Sequence, residues 1–331
     1  NYMHVANNLM IDDLSQAFSG LPLIVVGAGP SLSKNIGLLK RAKGKAIVLA
    51  VNRTLRSLQN ADIHPHFTIA LEARDVRSQF EGIDLSQIPG ILLATTVDRN
   101  LFELPANRFI SYYNQLHVDG WMFEPEDQHH EALSQGTVSH SAFSLALRWG
   151  CDPIIFVGQD LSFPDGQYYH EDGADGQTRA VYSEETDKWQ LQGYSQALSN
   201  TLKGKETEQF EGTRVPGYFG HDVPTSVTFA NYLSWLGERA GQVKDQVTLY
   251  NCTEGGAFIS NMDHRPLSQV LDALPPLGID VASVLNHAEW RESQEARAER
   301  MHAHLLQMTR ELGHAAALSR DCLRLLGKVR K

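Results

Sequence analysis

Residues 21–32 read LPLIVVGAGPSL, and no other stretch constrains the fold as tightly. An apolar run from Leu23 to Val26 passes directly into Gly27-Ala28-Gly29-Pro30-Ser31. A short apolar run that ends in glycine reads as a strand buried on both faces. A helix is expected to start near Ser31 or Ser33. Glycines at such a turn let the backbone approach a phosphate, and the helix start adds partial positive charge. The segment predicts a nucleotide site at the carboxyl end of a first strand. The alternative is a tight strand-to-helix connection with no ligand.

The stretch departs from the dinucleotide fingerprint in two places. The pattern G-x-G-x-x-G needs a third glycine, and this chain has Leu32 there. An acid is expected about 20 residues on, at the end of the second strand; here AIVLAVN ends in Asn52. An amide bonds a ribose, a base or a phosphate, but it does not reproduce the carboxylate–ribose contact of an NAD site. Pro30 also stiffens the turn, and no G-x-x-x-x-G-K-[ST] loop occurs.

The alternation continues downstream. Ala46–Val51, Phe67–Leu71, Ile91–Thr96 and Arg108–Tyr113 read as strands, with helices after Ser33 and over Leu55–Leu58. GTVSHSAFSLALRWG, from Gly136 to Gly150, carries a helical stripe of Val138, Ala142, Leu145, Ala146 and Trp149. Gly150 is placed to end that helix. IIFVG, then Gly158-Gln159-Asp160-Leu161-Ser162, repeats the strand-to-turn pattern, and Val247–Asn251 is a last strand. This predicts an α/β fold: a Rossmann-like, mostly parallel sheet with helices on both faces, plus a C-terminal helical region.

Residues 1–20 read as an N-terminal helical segment through Leu9, Ile11, Leu14 and Phe18. Residues 21–265 read as the Rossmann-like domain and 266–331 as the C-terminal helices, heptad-like and able to self-associate. Residues 164–220 form a polar insertion with one helix expected near 185–200, a lid or substrate loop in outline. Residues 114–135 read as a surface loop rich in His, Asp and Glu. The start at Asn1 and a helical pattern running to Arg330-Lys331 read as a piece of a longer chain.

Composition narrows the function classes. Across 331 residues, 39 acids against 29 bases leave a net charge of −10, which argues against a nucleic-acid surface but not against a local basic pocket. Cys151, Cys252 and Cys322 are far apart and odd in number, with neither metal spacing nor a disulfide framework. A reduced, cytoplasmic setting is expected. No run approaches about 18 apolar residues, so no membrane span is expected, and the first residues lack the apolar core of a signal peptide.

Four segments converge on the carboxyl edge of the predicted sheet: Gly27–Ser31, Asn52-Arg53, Gly136–Ser139 and Gly158–Ser162. Ser31, Thr137 and Ser139 either hydrogen-bond an anion or serve as helix caps. Asp160 orients a donor, acts as a base or caps the next turn. His170 and His221 lie in the insertion, where a base would sit, and solvated loop histidines are the other reading. Tyr168 and Tyr169 either reach a phosphate or pack the loop. His129-His130 has no third ligand at zinc spacing, so no metal centre is expected. Ser141 and Cys151 lack a nucleophile elbow.

GAGPSL, AVNRTL, GTVSHSAFSLALRWGCDPIIFVGQDLSF and NCTEGGAFI, in that order, resemble the motility accessory factor family, over residues 20–265. Its domain is also labelled DUF115, or 6-hydroxymethylpterin diphosphokinase MptE-like. The resemblance implies transfer of a nonulosonic acid (pseudaminic, legionaminic or sialic acid type) from a CMP-activated donor to Ser or Thr of flagellin. A more distant resemblance, to bacterial lipooligosaccharide sialyltransferases, points to the same donor. Carried over, Gly27, Gly29, Pro30 and Ser31 would line the phosphate and ribose, and Asn52 would touch the nucleotide. Gly136, Thr137 and Ser139 would face the phosphate or the sugar carboxylate; Gly158 and Asp160 would line the cytidine side. Those enzymes use a lid histidine as base, a role open here to His170 or His221. No further cofactor is implied. The MptE-like label implies instead diphosphate transfer from ATP with magnesium, for which Glu72 with Asp75, or Asp160 with Asp165, would have to hold the metal. A third possibility is a non-catalytic accessory protein that binds the nucleotide-sugar or flagellin.

Overall fold

The computed structural model describes residues 1–114, 136–173, 176–183, 185, 188–193 and 209–329. The loop expected over 114–135, with His129 and His130, lies almost wholly outside the described residues.

In chain order the strands are β1 (Leu9–Met10), β2 (Leu23–Val26), β3 (Ile47–Val51), β4 (Phe67–Ala70), β5 (Gly90–Ala94), β6 (Phe109–Tyr112), β7 (Ile154–Val157), β8 (Arg179–Ser183), β9 (Lys188–Gln192), β10 (Gln209–Phe210), β11 (Gly212–Pro216), β12 (Asp222–Ser226), β13 (Leu249–Asn251) and β14 (Asp263–His264). The helices are α1 (Tyr2–Asn7), α2 (Leu32–Leu39), α3 (Leu55–Asn60), α4 (Val138–Arg148), α5 (Val227–Val243), α6 (Leu267–Ala273), α7 (Val281–Asn286) and α8 (Gln294–Val329).

Among the described residues, nine strands form one sheet in the order β1-β6-β5-β4-β3-β2-β7-β13-β14. Every pairing in it is parallel. Every residue of β2, β3, β4, β5 and β7 is buried, so both faces of the sheet are covered, as a parallel sheet requires. This is why these strands are unbroken apolar runs rather than alternating ones. α4 packs across β2, β3 and β4 and returns the chain to the start of β7.

The strand order locates the ligand edge. From β2 the chain steps outward through β3, β4, β5 and β6, then crosses back to place β7 on the other side of β2. The switch point therefore lies between β2 and β7. In open α/β sheets the crevice beyond the strand ends at that point takes the ligand.

Two expectations are corrected. Residues 1–20 are not one amphipathic helix: α1 ends at Asn7 and Leu9–Met10 pairs with β6 as an edge strand. Leu9, Ile11, Leu14 and Phe18 are all buried, but extended and turning backbone buries them. Within the polar insertion, Lys188–Gln192 is a strand rather than part of a helix over 185–200. It joins β8 and β10 in a small antiparallel sheet, seated on Phe163, Ala180 and Leu191.

Phe67 anchors the core under the switch point. It is fully buried, with ring centroids 5.8 Å from Phe18 and 4.8 Å from Trp149. Phe67→Ala is expected to lower unfolding free energy by about 3–5 kcal/mol in urea denaturation. Phe219→Ala, at a side chain 65% exposed, is expected to stay within about 0.5 kcal/mol.

Candidate functional site

The switch point is built from backbone packed on backbone. Gly27 N–H donates to Val157 O at 2.8 Å, and Gly29 N–H to Gly158 O at 2.8 Å. A Cβ on Gly27 would come within 2.5 Å of Gly158 O, and one on Gly158 would collide with Gly27 O. Gly158 also needs its positive φ of 68°, which glycine adopts without strain. A side chain at Gly29 would run into the Asp160 carboxylate.

That carboxylate occupies the start of α2. Asp160 accepts from Ser31 N–H at 3.2 and 3.3 Å and from Ser31 Oγ at 2.7 Å. The two residues proposed separately as ligand contacts thus satisfy one another across 129 positions of chain. Burial pushes the Asp160 carboxyl up to about 6, opposed by the Ser31 hydrogen bonds and by Lys34. The loop after β13 seals the far side: Ala257 N–H donates to Asp160 O at 2.7 Å, and Asn35 Nδ2 to Cys252 O and Thr253 O at 3.0 and 3.2 Å. Gly256 leaves room there for the Asp160 backbone. This gives NCTEGGA a packing role that its sequence alone did not reveal.

On the near side a cavity of about 390 Å³ opens at the same edge. Gly136, Thr137, Val138 and Ser139, the first residues at α4, line it. No acidic residue lies in the first turn of this 11-residue helix, so its positive end faces the cavity. Asn52, at the end of β3, lines the wall beside Arg53. Its Nδ2 donates to Gln79 Oε1 at 2.7 Å, while its Oδ1 is buried without a partner. Ser162 Oγ, also on the lining, is buried and unpartnered. Orphaned buried polar atoms are costly and uncommon in a native fold. Arg53, Arg74, Glu72, Tyr168 and Tyr169 also line it, with the Arg53 guanidinium 4.9 Å over the Tyr169 ring.

The structure thus brings Gly29, Asn52, Gly136, Thr137, Ser139, Gly158 and Asp160 to one cavity. Gly27, Pro30 and Ser31 lie behind it as its support. His170 is not among the lining residues. It is buried, its Nδ1 is 3.0 Å from Ser57 Oγ, and its backbone N–H donates to Ala28 O at 2.9 Å. Burial lowers its pKa; it clips the insertion onto α3 and the glycine turn. His221 is exposed in the β11–β12 turn and also lies off the lining. Cys151 is buried, its thiol pushed up to about 12 by desolvation. Sequence reasoning passed over Arg74, Gln159 and Tyr232, all on the lining.

The metal-holding pairs raised by the ATP reading are not assembled. Asp75 lies in an ion pair with Arg77 at 2.7 Å, Asp160 is held by Ser31, and neither Asp75 nor Asp165 lines the cavity. Among the described residues no cluster of three His, Cys, Asp or Glu is placed to hold a metal.

Asp160 sets a testable pH dependence. Its folded value, about 6, lies above its ordinary 3.8, so between these limits the folded chain keeps a proton that the unfolded chain has lost. That contribution is complete below about pH 4 and is lost as pH rises through about 6. Relative to Asp160→Asn, the parent chain is expected to lose up to about 3 kcal/mol of unfolding free energy between pH 4 and 7. Urea titrations of both proteins at the two pH values measure it.

The structure is similar to that of the MAf glycosyltransferase from Magnetospirillum magneticum AMB-1, with a TM-score of 0.63 and 17% identity. The match covers 91% of this chain and 44% of that one, so this chain spans less than half of that protein's length. No curated protein matches the chain. Residues 1–166, half of the chain, match the model of the 6-hydroxymethylpterin diphosphokinase MptE-like family, and the chain belongs to that family.

Proposed function

We propose that this chain is the catalytic domain of a glycosyltransferase that moves a nonulosonic acid from a CMP-activated donor to a protein hydroxyl. Flagellin in the cytoplasm is the proposed acceptor, and flagellar assembly the process served. The observation that carries the reading is the open end of α4, which faces a switch-point cavity beside an arginine pair and the half-satisfied Asn52 amide. A helix end of about half a positive charge, with hydroxyls at Thr137 and Ser139, suits one phosphate and the charge that develops on it as it leaves. The neighbouring fold is that of a glycosyltransferase.

In this scheme Asn52 and Ser162 meet the nucleoside. Thr137, Ser139 and the α4 N–H groups meet the phosphate, with Tyr168 and Tyr169 within the same wall. Gly29 and Gly158 allow the close backbone packing that forms this wall of the cavity. Ser31 and Asp160 hold the shape of the turn, so their replacement weakens folding before it weakens binding. The family description favours a second reading, diphosphate transfer from ATP to a pterin alcohol, and the carboxylate arrangement does not support it.

Thermal-shift and calorimetric titrations separate the two. At a hundred times its dissociation constant, CMP or a CMP-nonulosonate is expected to stabilise the chain by about 2.7 kcal/mol. Ser139→Ala and Asn52→Ala are each expected to weaken CMP binding about tenfold, the loss of one hydrogen bond to a charged or buried partner. Stabilisation by ATP with magnesium alone overturns the reading in favour of diphosphokinase chemistry. CMP binding without turnover of any CMP-nonulosonate overturns the transferase in favour of an accessory binder.

A further inference from the structure

We propose that Glu72 is the general base of this site, taking the proton of the acceptor hydroxyl as the donor's glycosidic bond breaks. The inference rests on the glycosyltransferase reading above.

Glu72 stands two residues beyond the end of β4 and lines the cavity. Because α4 packs across β2, β3 and β4, its open end and Glu72 reach the cavity from the same sheet edge. One carboxylate oxygen, Oε2, accepts from Leu71 N–H at 3.2 Å, which fixes the group's direction. No arginine or lysine is paired with it among the described residues. Several of the chain's buried or half-buried carboxylates are ion-paired. Asp12 pairs with Arg148 at 2.7 Å, Asp13 with Arg297 at 3.3 Å and Glu292 with Arg300 at 2.9 Å. Asp160 is bonded by Ser31. Among the described half-buried carboxylates without an ion-pair partner, Glu72, Asp98, Asp152 and Glu254, Glu72 is the one that lines the cavity.

Among the described residues, the other bases are engaged or remote. His170 sits on Ser57. His140 lies wholly buried on α4 with its Nε2 3.1 Å from Tyr232 O. The Tyr232 hydroxyl donates to Gly136 O at 3.3 Å. In the step itself, the hydroxyl oxygen bonds to the anomeric carbon and its proton passes to Glu72. The carbon–oxygen bond to phosphate breaks with its electron pair on the phosphate oxygen, and CMP departs toward the α4 end. Water in place of the acceptor gives donor hydrolysis by the same proton transfer.

Donor hydrolysis is therefore the assay, with CMP-N-acetylneuraminic, CMP-legionaminic and CMP-pseudaminic acids as probes. Glu72→Gln is expected to lower kcat by about 10²–10⁴-fold while CMP affinity, measured by calorimetry, stays within about twofold. Added formate is expected to restore part of the turnover of Glu72→Ala, which a merely structural role would not allow. Turnover by Glu72→Gln within about twofold of the parent, with CMP affinity retained, overturns the assignment of Glu72 and leaves the donor reading standing. A parent chain that turns over none of the three donors overturns the donor reading and the assignment with it.

Discussion

The mutual contact of Gly27 and Gly158 is the constraint on which the site depends. β2 and β7 are neighbours in the sheet but 131 residues apart in register, Leu23 facing Ile154 through Val26 facing Val157. At their ends the two chains do not splay. Each carbonyl occupies the volume that the other residue's side chain would need. That proximity carries Asp160 to the first turn of α2, where it satisfies orphan donors that every helix start presents. It also makes room for Gly255 and Gly256 to close over the turn from β13. A glycine-rich turn is usually read as space left for a phosphate. Here much of that space is filled by the protein's own backbone and one carboxylate.

Because α2 is capped from within, the two helix starts at this edge are not equivalent. Both read alike in sequence, as glycine followed by hydroxyl residues. Of these two, the α4 start, with its lining of Gly136, Thr137 and Ser139, presents its positive end to open volume. The turn after β2 contributes Ala28 and Gly29 to the wall of the same cavity.

The parallel sheet was legible in sequence because burial on both faces leaves runs such as LIVV and IVLAV with no polar interruption. Those runs mark each strand regardless of partner. The N-terminal edge strand was not legible: two residues, Leu9 and Met10, carry no period. Nor was β9 within the polar insertion. Its placement depends on aromatic packing with Phe163 and Phe210, contacts separated too widely in sequence for any local pattern. At the site, the residues near each strand end were found because topology fixes that edge. Their roles were harder to find. A polar side chain read alone offers a hydrogen bond, and nothing local tells that Ser31 already gives its own to Asp160, or that Ser57 holds His170.

The anion-binding cavity proposed for a chain of net charge −10, with Asp160 in its wall, looks self-defeating until the local charges are taken in turn. Burial favours the neutral form of Asp160 below about pH 6. Above it, the ionised group faces the Ser31 N–H and hydroxyl, the α2 start and Lys34. Its charge is therefore directed into the fold and compensated there. Besides Asp160, the described residues of the lining present the α4 end, Arg53 and Arg74 against the Glu72 carboxylate. Field within a low-dielectric cleft follows these nearest groups rather than the distant surface charge, which salt screens within about 10 Å. An acidic protein can in this way hold a local basic wall, with the Asp160 carboxylate hydrogen-bonded to the Ser31 N–H and hydroxyl.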